Sequence, residues 1–168
     1  MAPTIKVGDT IPPATFSHVP YSPELENGLV CGTPVQLDIH KEWKGKKVVL
    51  FAVPGAFTPT CHVNHLPPYL EKYDEFKKKG VDIIAVLAGN DAFVMSGWGR
   101  FTGLKDKILA LSDANAAWSK EHGLNSDRAP ERTGRWAIIL DDLKVQSIEV
   151  ESAPGVSVSG ADAVLAKL

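Results

Sequence analysis

The stretch from Val48 to Cys61, VVLFAVPGAFTPTC, constrains this chain more than any other. Val48 to Val53 is an unbroken apolar run rich in β-branched residues, of a length that predicts a strand buried on both faces. Pro54 and Gly55 end it. Thr58 and Pro59 then read as a helix start, with a hydroxyl near the cap and a proline in the first turn, where no backbone donor is lost. Cys61 therefore falls in the first helical turn. Unpaired N–H groups and the positive end of the helix dipole stabilise a thiolate there, so Cys61 is reactive by position.

Pro54, Thr58 and Cys61 form the spacing P-x-x-x-T-x-x-C, and each residue has a chemical use. Thr58 can donate and accept a hydrogen bond, so it can hold a thiolate and orient an oxygen approaching it. Pro54 fixes φ and shields the pocket from water. At these residues, and in the longer string VPGAFTPTC, the chain resembles the peroxiredoxins, in particular their type II (atypical) branch, which includes fungal alkyl hydroperoxide reductases and peroxisomal members. The resemblance runs from about residue 4 to the C-terminus. It implies a thioredoxin-like α/β sandwich with an N-terminal extension, and residues 1–168 are expected to form one domain.

A chain of 168 residues with 44% hydrophobic and 23% charged residues has the balance of a globular domain with a substantial core. Its net charge of −2 gives no general attraction to nucleic acid or anionic lipid, and neither is expected as a partner. No apolar run is long enough to span a bilayer, and MAPTIKVGDT lacks the apolar core of a signal peptide, so an intracellular protein is expected. Cys31 and Cys61 make no CxxC pair and no zinc-ligand set.

Residues 1–47, broken by Pro12, Pro13, Pro20, Pro23 and Pro34, predict short strands and turns with one turn of helix near Trp43. Cys31, in NGLVCGTPV, reads as a loop or hairpin residue near the surface. After Cys61, the spacing of Leu66, Tyr69, Leu70, Tyr73 and Phe76 predicts an amphipathic helix ending at Gly80. Pro67 and Pro68 fall inside it, deprive the carbonyls of Val63 and Asn64 of partners, and predict a kink that leaves the Cys61 turn weakly coupled to the helix body. Val81–Leu87 is a second buried strand, followed by a helix capped by Asn90 or Asp91. Further strands are expected at Ile108–Leu111, Trp136–Leu140 and Lys144–Val150, with Asp141–Asp142 as the turn between the last two. Helices are expected at Ala114–His122, capped by Ser112 or Asp113, and at Gly160–Leu168.

A thiolate attacking a peroxide needs alignment, a donor for the leaving oxygen and a fixed positive charge. Arg135, directly before the strand WAIIL, is the best-placed cation by sequence, and the Arg135–Trp136 pair also matches the family's catalytic arginine. Its permanent charge and forked donors suit the role better than lysine. His65, four residues after Cys61, shares its helical face and reads either as support for the site or as a packed histidine, whereas His62 is expected in solvent. Phe51, Phe57, Trp98 and Trp136 are candidates for an apolar rim. The resemblance implies reduction of hydrogen peroxide or small organic hydroperoxides through a Cys61 sulfenic acid, with thioredoxin or glutaredoxin/glutathione as external reductant. No metal, haem or flavin is required. It further implies Cys31 as a candidate resolving cysteine, with resolution across a homodimer, within one chain, or by direct reduction of a one-cysteine enzyme all left open by the sequence. A thioredoxin-fold redox sensor without turnover is the alternative reading; a disulfide oxidoreductase is disfavoured because Thr58 stands where a CxxC motif has its first cysteine. The ending Ala166-Lys167-Leu168 is similar to a peroxisomal address, so cytoplasmic and peroxisomal locations are both open.

Overall fold

A computed structural model describes residues 2–168. Seven strands form one mixed sheet in the order β2-β1-β5-β4-β3-β6-β7. The centre is parallel: β3 (Lys47–Ala52) pairs with β4 (Ile83–Ala88), and β4 with β5 (Ile108–Ser112). On one side β6 (Trp136–Asp141) lies antiparallel to β3 and β7 (Lys144–Val150) antiparallel to β6. On the other, the N-terminal pair β1 (Thr15–His18) and β2 (Val35–Asp38) extends the sheet past β5.

The apolar run is legible in this arrangement. Val49, Phe51 and Val53 enter a core with Leu66, Tyr69, Phe76, Met95, Trp98 and Val164. Val48, Leu50 and Ala52 enter the core on the other face with Ile11, Trp43, Leu87, Trp136 and Ile138. A strand's side chains alternate between faces, so burial on both requires apolar residues at every position. The N-terminal region carries short elements only, including a 3₁₀ turn at Pro23–Glu26 and one helical turn, α1 (Ile39–Glu42), beside Trp43.

The expected kink takes a more specific form. Residues Cys61–His65 make a π-helical turn in which the Leu66 N–H reaches back five residues to the Cys61 carbonyl. Pro67 and Pro68 have no N–H to give Val63 and Asn64, so the bonds that a wide turn sacrifices in an α-helix are already missing, and widening costs little. The helix continues as α2 (Leu66–Glu71) and, after a break at Lys72, as α3 (Tyr73–Lys78). α4 (Ala92–Thr102) is capped by Asp91, whose carboxylate accepts from the Val94 N–H.

Two other boundaries differ from expectation. The region 114–122 is a 3₁₀ turn (Ala114–Ala116) and α5 (Ala117–Glu121), separated by left-handed backbone at Asn115 and Ala116. Ser112 belongs to β5, while Asp113 spans the break, accepting from the N–H groups of Trp118 and Ser119 and from the Ser119 hydroxyl. The β6–β7 turn is Asp142–Leu143, both at positive φ as a tight hairpin demands, not Asp141–Asp142. α6 (Ala161–Leu165) packs Ala161, Val164 and Leu165 into the same core as α2.

Candidate active site

The site forms where β3 ends. Antiparallel pairing sets Ala52 opposite Trp136, so Arg135, one residue before β6, stands beside the point where the chain leaves β3 toward Cys61. The buried Thr133 hydroxyl donates to the Val53 carbonyl (2.7 Å) and ties the approach to β6 to the same place. Arg135 Nη2 donates to Cys61 Sγ at 3.3 Å. Its Nη1 lies 3.0 Å from His65 Nδ1. Cys61 is 1% exposed and His65 is fully buried, so the structure brings together the sulfur, the cation and the histidine that sequence reasoning singled out.

A guanidinium can only donate, which makes His65 Nδ1 the acceptor and puts the ring proton on Nε2. Nε2–H donates to the Ser159 carbonyl at 3.0 Å. Burial, opposed by the Ser159 bond and reinforced by the Arg135 charge, lowers the His65 pKa from 6.5 to about 4, so the ring is neutral at physiological pH. The phenol of Tyr69, stacked on Phe51, donates to the same Ser159 carbonyl at 2.6 Å.

Thr58 and Pro54 sit on the loop before the helix, both half-buried. The Thr58 hydroxyl donates to the Gly55 carbonyl at 2.7 Å, which commits its proton and leaves its oxygen free to accept one from an incoming molecule. A Cβ at Gly55 would come within 3.0 Å of Arg132 Nη1 and 3.1 Å of the Thr58 methyl, so a larger residue here would need both side chains to shift. The side-chain oxygen of Asn90 accepts from the Ala56 N–H at 2.9 Å; Asn90 was readable as a helix cap, but Asp91 takes that task. Phe57 has φ +60 and is half-exposed, an uncommon conformation for a bulky residue that turns its ring outward.

His62 departs from expectation. It is half-buried, its Nδ1 accepts from Trp98 Nε1 at 2.8 Å, and it lies among the rings of Phe57 and Phe101. Phe51, Trp98 and Trp136 are fully buried, so of the four aromatic rim candidates only Phe57 is at the surface. A cleft of about 370 Å³ adjoins the site, with Pro54, Thr60, Arg128, Arg135 and Glu151 among its walls. Sequence reasoning missed Ser159 and Glu151, which reach the site only through the fold.

Cys31 lies elsewhere. It is exposed and unpaired, in the segment leading to β2, and the Arg100 guanidinium of α4 holds that segment by the carbonyls of Asn27 and Val30 (both 2.9 Å). Cys61 is buried against Arg135 whereas Cys31 is exposed, and the two are not bonded to one another. Among the described residues no cluster of His, Cys, Asp and Glu is suited to a metal ion, and no helix is long and apolar enough to cross a membrane.

A buried sulfur at a helix start, touched by a fixed guanidinium and preceded three residues earlier by a threonine, on a sheet of this topology, defines a thiol-dependent oxidoreductase of thioredoxin-like fold. Residues 6–165 match the Redoxin family. Peroxiredoxin Pen c 3 of Penicillium citrinum is 44% identical over 168 residues, covering 98% of this chain and 99% of its own. A Lipomyces kononenkoae protein named as a peroxisomal peroxiredoxin is 45% identical over 157 residues, covering 91% of this chain and 94% of its own. The crystal structure of reduced Prx3 from Vibrio vulnificus in complex with hydrogen peroxide superposes with a TM-score of 0.84 at 40% identity, over 97% of this chain and 98% of that one. The chain belongs to the Redoxin family and, within it, to the peroxiredoxins, close to fungal members and the type II branch. It is a thiol peroxidase that reduces hydroperoxides.

Proposed function

We propose that residues 1–168 act as one peroxidase domain in which Cys61 is the attacking sulfur, Arg135 its fixed cation, Thr58 the acceptor that orients the peroxide, and Pro54 the shield that keeps water out. The observation that carries this reading is the 3.3 Å contact from Arg135 Nη2 to the buried Cys61 sulfur. The thiolate attacks one peroxide oxygen, an S–O bond forms as the O–O bond breaks, and the leaving oxygen departs as hydroxide or alkoxide, which takes a proton from solvent to become water or alcohol. The charge that begins on sulfur ends on that leaving oxygen, within reach of the same guanidinium.

The sulfenic acid is then resolved by Cys31 of a second copy, with loss of water, and the disulfide is reduced by thioredoxin or by glutaredoxin with glutathione. Two features support resolution across a homodimer: Cys31 is exposed, and it is not bonded to Cys61 within one chain. A third is the apolar surface between them. Phe93 (59% exposed) and Phe101 (74%) lie two turns apart on one face of α4 with Gly97 between them, and Phe101 adjoins Phe57 at the mouth of the site. Arg100, which holds the Cys31 segment, is the neighbour of Phe101. A two-fold contact centred on α4 would bring the Cys31 segment of one copy toward the Cys61 mouth of the other.

Non-reducing electrophoresis after one equivalent of hydrogen peroxide tests this. A covalent dimer lost in both Cys31→Ser and Cys61→Ser is expected; a monomer throughout, with Cys31→Ser equally active in turnover supported by thioredoxin and by glutaredoxin, contradicts resolution in trans. For location we propose the cytoplasm, the peroxisome or both: Ala166 and Lys167 are exposed, while Leu168 is half-buried against the core and its carbonyl accepts from Lys79. Movement of the N-terminally tagged protein into peroxisomes, abolished by deleting those three residues, supports the peroxisomal address; an unchanged cytosolic distribution removes it.

A further inference from the structure

Arg135 is the terminus of a closed ring of contacts whose far member is Glu151. At the open end of the β6–β7 hairpin the Glu151 N–H donates to the Arg135 carbonyl at 2.9 Å, so the two backbones are fixed opposite one another. The Glu151 carboxylate turns toward the loop after β7. Oε1 accepts from the N–H groups of Ser157 (2.6 Å) and Ser159 (2.9 Å) and from the Ser159 hydroxyl (2.8 Å); Oε2 accepts from the Ser157 hydroxyl (2.6 Å). Burial works against this carboxylate, but the serine bonds outweigh it and its pKa is lowered, so it is ionised at physiological pH.

The loop so held is irregular from Glu151 to Gly160 and contains Pro154 and Gly155, the latter at φ +112, so it has no ladder of its own to fix Ser159. Yet the Ser159 carbonyl sets the orientation of His65. Both its lone pairs are used, one by His65 Nε2 and one by the Tyr69 phenol. With the proton fixed on Nε2, the lone pair on Nδ1 faces Arg135 Nη1, and the fork's other nitrogen is left on the Cys61 sulfur. Partners that orient a reacting group at one remove matter through geometry: a shift of the ring turns the guanidinium plane and moves Nη2 off the sulfur.

We propose that Glu151 is a positioning residue for the peroxidase site: its clasp on Ser157 and Ser159 fixes the carbonyl that orients His65, and through His65 holds the Arg135 fork on Cys61. This rests on the reading of Arg135 and Cys61 given above. A residue that only tethered a surface loop would change stability and leave the chemistry alone.

The test is the rate of Cys61 oxidation by hydrogen peroxide, measured by rapid mixing on the full-length reduced protein carrying Cys31→Ser. Glu151→Ala is expected to slow it by about tenfold, the scale on which second partners of reacting groups act. Glu151→Gln keeps an oxygen toward the two N–H groups and is expected to recover most of the rate; a loss as large as that of alanine overturns the clasp. His65→Phe is expected to be slow, and adding Glu151→Ala to it to slow it no further, because both act along one route. Multiplying losses, or a Glu151→Ala enzyme at the parent rate, overturn the inference. If Glu151→Ala does not fold, the Ser157→Ala/Ser159→Ala pair removes two of the four clasp bonds; slowing of severalfold supports the inference and the parent rate overturns it. Arg135→Ala measured in parallel separates the two levels. Its slowing beside a normal clasp variant removes Glu151 alone, whereas an Arg135→Ala enzyme at the parent rate removes the underlying reading as well.

Discussion

Replacing Arg135 by lysine keeps the charge and removes the fork. Arg135 spends two nitrogens of one plane on two partners, Cys61 Sγ at 3.3 Å and His65 Nδ1 at 3.0 Å. A lysine ammonium is a point donor on a shorter stem and cannot occupy both places. At an effective dielectric constant of about 20, a unit charge at the sulfur contact distance attracts the negative charge of the transition state by about 5 kcal/mol; an ammonium withdrawn to about 5 Å retains about 3 kcal/mol. The deficit of about 2 kcal/mol corresponds to a slowing of about 30-fold, provided the leaving oxygen stays within reach of the same cation. Folding should suffer less, because the main loss is one bond to His65, worth about 1 kcal/mol and a few degrees in Tm at this chain length. The assay is loss of the free Cys61 thiol in quenched samples after mixing with hydrogen peroxide, in a Cys31→Ser background so that one thiol is counted. An oxidation rate for Arg135→Lys within twofold of the parent would refute the reasoning and move the role to another cation, with Arg132, whose Nη1 overlies Gly55, the first to be tried.

Three other outcomes are expected. The folded His65 takes up a proton only near pH 4 while the unfolded one does so at 6.5, so its contribution to stability is complete above pH 6.5 and is lost as the pH falls toward 4. Denaturant titrations at pH 7 and pH 5 should show the parent losing about 2 kcal/mol more than His65→Phe, and equal losses would contradict a buried neutral ring. Amide exchange should be faster in residues 60–64 than in 70–78, because the π turn ahead of Pro67 and Pro68 shares few bonds with the helix body; the reverse order would contradict that weak coupling. Phe93→Asp/Phe101→Asp should sediment as a monomer where the parent is a dimer, and an unchanged dimer would move the interface off α4.

The parts of the site legible in the sequence are those whose signal is local. Thr58, Pro59 and Cys61 announce a helix start within a few residues, and Arg135 is marked by the strand that follows it. The apolar run Val48–Val53 marked β3 because a short, β-branched-rich apolar run ended by Pro54 and Gly55 suits a strand covered on both faces. Glu151 and Ser159 carry no such signal: they follow a strand in a loop of small and polar residues, and only the hairpin that returns β7 alongside β6 brings them to His65. His62 was misplaced because its partner, Trp98, comes from α4, a helix that no pattern near His62 foretells. The break at Asn115–Ala116 was also hidden. Asp113 reads as an ordinary cap in sequence, yet its carboxylate bonds Trp118 and Ser119 across left-handed residues that rarely favour alanine.

On the reading proposed above, Cys61 and not Cys31 is the sulfur that meets peroxide. Treating the reduced protein with one equivalent of hydrogen peroxide in the presence of a sulfenic-acid trap, followed by peptide mass spectrometry, reads the oxidised residue directly. The trap is expected on Cys61 in the parent and in Cys31→Ser, and no fast label is expected in Cys61→Ser. A rapid adduct on Cys31, or peroxide turnover retained by Cys61→Ser, would contradict the account.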